Sequence, residues 1–407
     1  MGMTTKMATN AQAHLDLVEA YGAHNYAPLP VVIARADGVW VEDADGKRYM
    51  DFLAAYSALN FGHSPTELIA VAKEQLDRVT LTSRAFQNDQ LGPFCKELAR
   101  FCGMEAVLPM NTGAEGVETA VKTARRWGYQ VKGVPEGQAK IIVCDQNFHG
   151  RTTTIISFST DPVAREGYGP YTPGFEVIPY GDIEALENAI DDRTVAFLME
   201  PIQGEAGVIV PPDGFLKQVR QVCTERNVLF IADEIQSGLG RTGYNFACDY
   251  EGVKPDIYIL GKALGGGIMP VSAVVSSRDI LGVFTPGSHG STFGGNPLAC
   301  AIARKVIEIL RRGEIQQHTR ELGSYLFERL HSFNWSKVTM IRGRGLWAGL
   351  ELDREKAGRA KPFCVKLMQE GLLCKDTHEY SIRLAPPLVI NKEELDWALE
   401  RLDNVLR

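Results

Sequence analysis

Between residues 105 and 275 the chain repeats one pattern: a short, almost purely apolar run, then a longer stretch with helical spacing. The runs are Ala106–Met110, Lys140–Cys144, Ala196–Met199, Val228–Ala232 and Ile257–Leu260. Runs this short and this apolar suit strands buried on both faces, which requires helices on each side of the sheet. The intervening stretches supply them; Val117, Ala120, Val121 and Ala124, for example, share one helical face. The pattern predicts an α/β domain with a parallel sheet. Four of these runs also end in polar chemistry: Asn111–Thr112–Gly113, Glu200–Pro201, Asp233–Glu234 and Gly261–Lys262. Ligands of open α/β sheets bind outside the carboxyl ends of the strands, so these residues mark a candidate site.

The remainder reads as separate units. At 407 residues the chain exceeds what one hydrophobic core usually holds. Residues 1–50 read as an arm plus a hairpin turning at Asp45–Gly46. The large domain is expected over 51–298. Beyond the loop Pro286–Pro297, residues 299–407 read as a smaller α+β domain with a helical stretch Ala299–Leu310, a strand-like Arg344–Leu350 and a final helix near Glu393–Leu406. Net charge is −7 with both signs scattered, which gives no footprint for nucleic acid and favours a small-molecule partner. The 8 cysteines form no C-x-x-C pair and several sit in apolar runs, so free thiols are expected and no metal site. The start, Met1 to Leu15, is polar and has no signal-peptide core, and no stretch has the length of a membrane span. A cytoplasmic protein is expected.

Three motifs carry chemistry. Thr112–Gly113–Ala114–Glu115 is a capping box opening a helix at a strand end, where free N–H groups and the positive end of the helix dipole suit an anion such as phosphate. Asp233 ends a buried strand; a carboxylate there is costly unless paired, and it suits the partner of a protonated pyridine nitrogen. Lys262 follows another strand and precedes Gly265–Gly266–Gly267, a setting for a Schiff-base amine packed against something flat. A phosphate cup, an acid and a lysine on one edge are the three anchors that pyridoxal phosphate requires. By contrast, Gly238–Leu239–Gly240–Arg241–Thr242–Gly243 fits G-x-G-x-x-G but lacks the strand-to-helix context of a dinucleotide site.

With those residues in view, the chain resembles the class III pyridoxal-phosphate-dependent aminotransferases over nearly its whole length. The likeness rests on His24–Asn25–Tyr26, Asp51–Ser57, Leu81–Phe86, Asn111–Glu115, Asn147–Thr152, Glu200–Glu205, Asp233–Gln236, Leu260–Gly267, Gly290–Pro297 and Ile382–Pro387. It implies the fold of the type I pyridoxal-phosphate transferases: a mostly parallel seven-stranded sheet covered by helices, a smaller C-terminal domain and an N-terminal arm. It further implies that Lys262 holds the cofactor and shuttles the proton, with Asp233 on the ring nitrogen, Phe148 stacked on the ring and Gln236 at its phenolic oxygen. Gly113 and Ala114 would hold the phosphate, and Ser291 and Thr292 would reach the cofactor of a neighbouring subunit in a homodimer.

The Tyr26 and Tyr56 stretches imply L-ornithine and 2-oxoglutarate as substrates, giving glutamate and an aldehyde that cyclises to pyrroline-5-carboxylate, a link from arginine breakdown to proline. Arg383 would clamp the carboxylate beside the reacting carbon of glutamate. Glu205 would mask Arg383 when ornithine is bound. Tyr26 and Arg151 would hold ornithine's distal carboxylate, with Tyr56 lining the pocket. Another ω-amino donor, acetylornithine or 4-aminobutyrate, and an aminomutase reaction remain alternatives. Two departures stand out: Gly62–His63–Ser64–Pro65 lacks a His-Pro pair, and His149 occupies a position where some relatives carry Trp, leaving its contact with the cofactor open.

Overall fold

The structure, a computed structural model, describes residues 11–407; the first ten residues of the expected arm, and with them most of the polar start, lie outside the described residues. Its centre is a seven-stranded sheet made of β4 (Ala106–Met110), β5 (Lys140–Cys144), β6 (Phe175–Ile178), β7 (Thr194–Met199), β8 (Leu229–Asp233), β9 (Ile257–Leu260) and β10 (Ser272–Ser276). The order is β4-β10-β9-β8-β7-β5-β6. Neighbours pair in parallel except that β10 runs against both β4 and β9. Every residue of β7, β8 and β9 is buried. Alternate side chains feed two cores. Phe197, Phe230 and Tyr258 face one, Leu198, Ile231 and Ile259 the other. That two-residue period explains why the strands read as unbroken apolar runs.

The helix Gly113–Trp127 packs on the second core through Val117, Ala120, Val121 and Ala124. Thr112 starts it: its side chain accepts from the Glu115 N–H while Glu115 reaches back to the Thr112 N–H, a complete capping box.

Two smaller sheets complete the chain. In the first, β1 (Ile33–Asp37), β2 (Trp40–Asp43) and β3 (Arg48–Asp51) are joined by β13 (Leu372–Leu373). The second has the order β11-β12-β15-β14, from β11 (Val338–Gly343), β12 (Ala348–Leu352), β14 (Lys375–Thr377) and β15 (Ser381–Leu384). The strand expected at Arg344–Leu350 is therefore displaced: Arg344–Trp347 form the turn between β11 and β12. Leu346 and Trp347 in that turn are fully buried, and their apolar character gave the turn the look of a strand. Val39, Met50 and Phe52 share a core with the helix Lys392–Leu406, whereas the helix Pro297–Arg311 packs into the core of the large sheet. We propose that this helix joins the large and small units. All eight cysteines are free, and no described helix is long and apolar enough to cross a membrane.

The G-x-G-x-x-G stretch is a structural hub. Gly240 and Gly243 take positive φ of 97° and 86°, and a Cβ on Gly243 would lie 2.5 Å from the Arg320 side chain. Between them Arg241, 0% exposed, donates to the carbonyls of Leu346 and Pro386 and to Asn60 Oδ1 at 3.1, 2.7 and 2.6 Å. One buried guanidinium thus ties the large sheet to both ends of the chain. An Arg241→Ala variant strands three buried acceptors at about 1–3 kcal/mol each. Thermal unfolding is expected to show a midpoint lowered by many degrees; an unchanged midpoint would count against the hub.

Candidate active site

The carboxyl edge of the large sheet gathers the residues singled out above. Lys262 follows β9 with a left-handed φ of 44°, a conformation uncommon outside glycine. Its ammonium has no hydrogen bond or ion pair among the described residues. Burial lowers its pKa, against the opposing fields of Glu205, Asp233 and Glu200, while Arg383 lowers it further. Lys262 lines a cavity of about 400 Å³ together with Asn111, Thr112, Gly113 and Ala55.

Asp233, at the end of β8, is held at both oxygens. Oδ1 accepts the Ile235 N–H at 3.1 Å, and Oδ2 accepts from His149 Nδ1 at 2.7 Å. The His149 side chain is entirely buried and its Nε2 has no partner among the described residues. Burial pushes the His149 pKa down, but the bond and charge of Asp233 outweigh it and the net shift is upward. Glu200, at the end of β7, accepts the N–H groups of Phe148 and Gly204 at 2.9 and 3.1 Å, so it pins the two loops that carry Phe148 and Glu205. Burial raises its pKa to about 7, assisted by Asp233 and opposed by His149.

The helix start is open where the motif reading placed an anion. Thr112 satisfies the Glu115 N–H, but the N–H groups of Gly113 and Ala114 have no partner among the described residues. Gly150 packs its backbone against Ala114, which brings the Phe148 loop beside that helix start; a Cβ on Gly150 would lie 3.1 Å from the Ala114 Cβ. Gln236 lies over Gly204 so closely that a Cβ there would come 2.2 Å from its amide nitrogen, and its Oε1 is buried without a partner among the described residues.

A second group surrounds Arg383 on β15. This side chain is 1% exposed. Its Nη1 donates to Glu205 Oε1 at 2.9 Å, while Nε and Nη2 are buried and unpaired among the described residues. The rings of Tyr56 and Trp347 lie 5.5 and 5.4 Å from its guanidinium carbon. Tyr56 sits in a turn whose four residues, Ala54 to Ser57, all have positive φ of 46–71°. None is glycine, so the turn stores strain of roughly 1–2 kcal/mol per residue. Tyr26 is 67% exposed and lines a neighbouring cavity of about 380 Å³ with Tyr56 and Lys375.

Arg151 stands apart from that cavity, exposed, with its guanidinium 5.8 Å from the Phe148 ring. Phe148 instead shares a cavity of about 230 Å³ with His149 and Glu205. Ser291 accepts from Asn111 Nδ2 at 2.8 Å, and Thr292 is exposed. Lys262, Asp233, Glu205 and Arg383 are thus brought within each other's fields, whereas Tyr26 and Arg151 lie at separate rims. Glu200 and Lys375 received no role from the sequence. The Glu200 signal was its strand-end position; that of Lys375 is a cross-strand pairing visible only in three dimensions.

This edge is built as an aminotransferase site, and the chain belongs to the class-III aminotransferases, whose family pattern matches residues 21–406. It is 59% identical over 391 residues to the ornithine aminotransferase of Geobacillus sp. (strain WCH70), covering 96% of this chain and 97% of that one. It is 56% identical to the ornithine aminotransferase of Bacillus subtilis (strain 168), covering 97% of each. Among solved structures, the ornithine aminotransferase of Toxoplasma gondii ME49 superposes with a TM-score of 0.95 at 43% identity, covering 98% of this chain and 95% of that one. The acetylornithine aminotransferase of Elizabethkingia anophelis gives 0.90 at 49% identity, covering 98% and 99%. The family's cofactor is pyridoxal phosphate, and the residues fit it: a half-buried amine, two open N–H groups at a helix start, and polar atoms of His149 and Gln236, all without partners among the described residues.

The close packing at Gly204 is directly testable. A Gly204→Ala methyl is expected to expel the Gln236 amide, lower the melting temperature and show a rotated Gln236 in a crystal structure. An undisturbed Gln236 would refute the contact.

Proposed function

We propose that this protein is an L-ornithine δ-aminotransferase, which moves the terminal amine of ornithine to 2-oxoglutarate in two half-reactions. The products are glutamate 5-semialdehyde, which cyclises to pyrroline-5-carboxylate, and glutamate. The observation that carries this reading is the half-paired guanidinium of Arg383. A substrate with a carboxylate beside its reacting carbon needs a cation there; a terminal amine does not. Glu205 answers the charge for the second kind of donor, and the free Nε–Nη2 edge offers a bidentate seat for the first. The names of the bacterial relatives support the same assignment.

Bound pyridoxal phosphate supplies an aldehyde that condenses with amines and a ring that withdraws electrons from the carbon losing its proton. The chain's residues arrange the rest. Lys262 would carry the cofactor, and its amine, whose pKa burial lowers, would move the proton at the reacting carbon. Asp233, aimed by His149 and the Ile235 N–H, would hold the ring nitrogen protonated. Phe148 would cover the ring, Gln236 would meet its phenolic oxygen, and Gly113 and Ala114 would hold the phosphate through their N–H groups. Tyr26 would receive ornithine's distal carboxylate in the cavity that Tyr56 walls, and Arg151 would reach that carboxylate only by turning away from the Phe148 ring.

Ser291 and Thr292 complete the phosphate site of a partner in a homodimer; exposed apolar Leu17, Val18, Tyr21, Phe86 and Phe293 suit such an interface. We place the enzyme in the cytoplasm. The likeness to an acetylornithine enzyme keeps the N-acetylated donor as a second reading.

Incubation with ornithine and 2-oxoglutarate is expected to yield trapped pyrroline-5-carboxylate, and Lys262→Ala to yield none. Faster turnover of acetylornithine would favour the second reading, and product without any keto acid an aminomutase. Glu205→Gln leaves Arg383 permanently unmasked. We expect the ratio of kcat/KM for ornithine over glutamate to fall by about tenfold or more, roughly 1.4 kcal/mol of discrimination.

A further inference from the structure

The ornithine reading leaves one cation in the pocket without a task. Lys375 on β14 pairs directly across from Arg383 on β15, so the two side chains leave the same face of the sheet. They flank one ring: Lys375 Nζ lies 5.7 Å and the Arg383 guanidinium carbon 5.5 Å from the centre of Tyr56. Lys375 also lines the cavity shared by Tyr26 and Tyr56. The charge of Arg383 is answered by Glu205; the half-buried ammonium of Lys375 forms no ion pair among the described residues.

The nearby acids do not meet that need. Asp51, on the same cavity, is already bonded to His63 and to the N–H groups of Leu53 and Ala54. Asp376, next along β14, also lines the cavity and acts on Lys375 through its field, but forms no ion pair with it among the described residues. Lys361, the other lysine of this cavity, is exposed and therefore fully solvated. Burial lowers the Lys375 pKa, but the Tyr56 hydroxyl, Asp376 and Glu205 outweigh it, so the group stays charged.

We propose that Lys375 is a specificity-determining residue that binds the α-carboxylate of ornithine, the end far from the reacting amine. The proposal rests on the assignment of ornithine as donor. It adds to Tyr26 a cation that lines the same cavity, which Arg151 does not. An ammonium held at the rim by Tyr56, with Arg383 behind the same ring, separates two carboxylate seats: one beside the reacting carbon and one distal to it.

Two donors with the same reacting end test this. Ornithine carries the carboxylate, and 1,4-diaminobutane is the same chain without it. For Lys375→Gln we expect the ornithine KM to rise about tenfold or more with kcat within about twofold. For 1,4-diaminobutane, kcat/KM is expected to stay within about twofold, and Lys375→Arg should recover much of the ornithine affinity. Equal losses on both donors, or an unchanged ornithine KM, would overturn the proposal. A wild-type protein that makes no product from ornithine would instead defeat the donor assignment, and this proposal with it.

Discussion

A guanidinium buried to 1% exposure with only one of its edges satisfied is the constraint around which this structure is arranged. An unpaired buried polar group costs about 1–3 kcal/mol, more when charged. Arg383 bears that cost at Nε and Nη2 while Glu205 neutralises it through Nη1. Trp347 and Tyr56 supply ring faces around the cation, and the β12–β15 pairing fixes its backbone. Tyr56 in turn depends on four consecutive left-handed residues, a conformation retained against its intrinsic strain. Fold stability is spent here to keep one charge dry, half-paired and available.

The same physics governs the opposite wall. The strand ends deliver Asp233, Glu200 and Lys262 into low dielectric, where desolvation favours neutral forms. Glu200 is pushed up to about 7 and Lys262 is pushed down, while His149 is drawn up by its bond to Asp233. Backbone donors are fixed on both carboxylates: the Ile235 N–H on Asp233, and the Phe148 and Gly204 N–H groups on Glu200. The open helix start at Gly113 completes an edge in which rigid elements, not mobile side chains, set the electrostatics.

Much of this was legible in the sequence because it is local. Strand ends announce themselves when an apolar run meets Asp233 or Lys262, and Thr112 with Glu115 states a helix start within four residues. What could not be read depends on distant pairing. Nothing near Lys375 reveals that β14 sets it opposite Arg383, and nothing near His149 shows that it meets Asp233, 84 positions away. The left-handed turn at Ala54–Ser57 carries no glycine to signal it. Trp347 misled for a related reason: it is buried by tertiary packing beside Arg383, so a turn took on the apolarity of a strand.

The most direct test of the account is a crystal structure of the cofactor-loaded enzyme with glutarate, a dicarboxylate that cannot react. The account requires one glutarate carboxylate to lie bidentate on the Nε and Nη2 atoms of Arg383. Glutarate bound elsewhere, with that edge still bare, would contradict it.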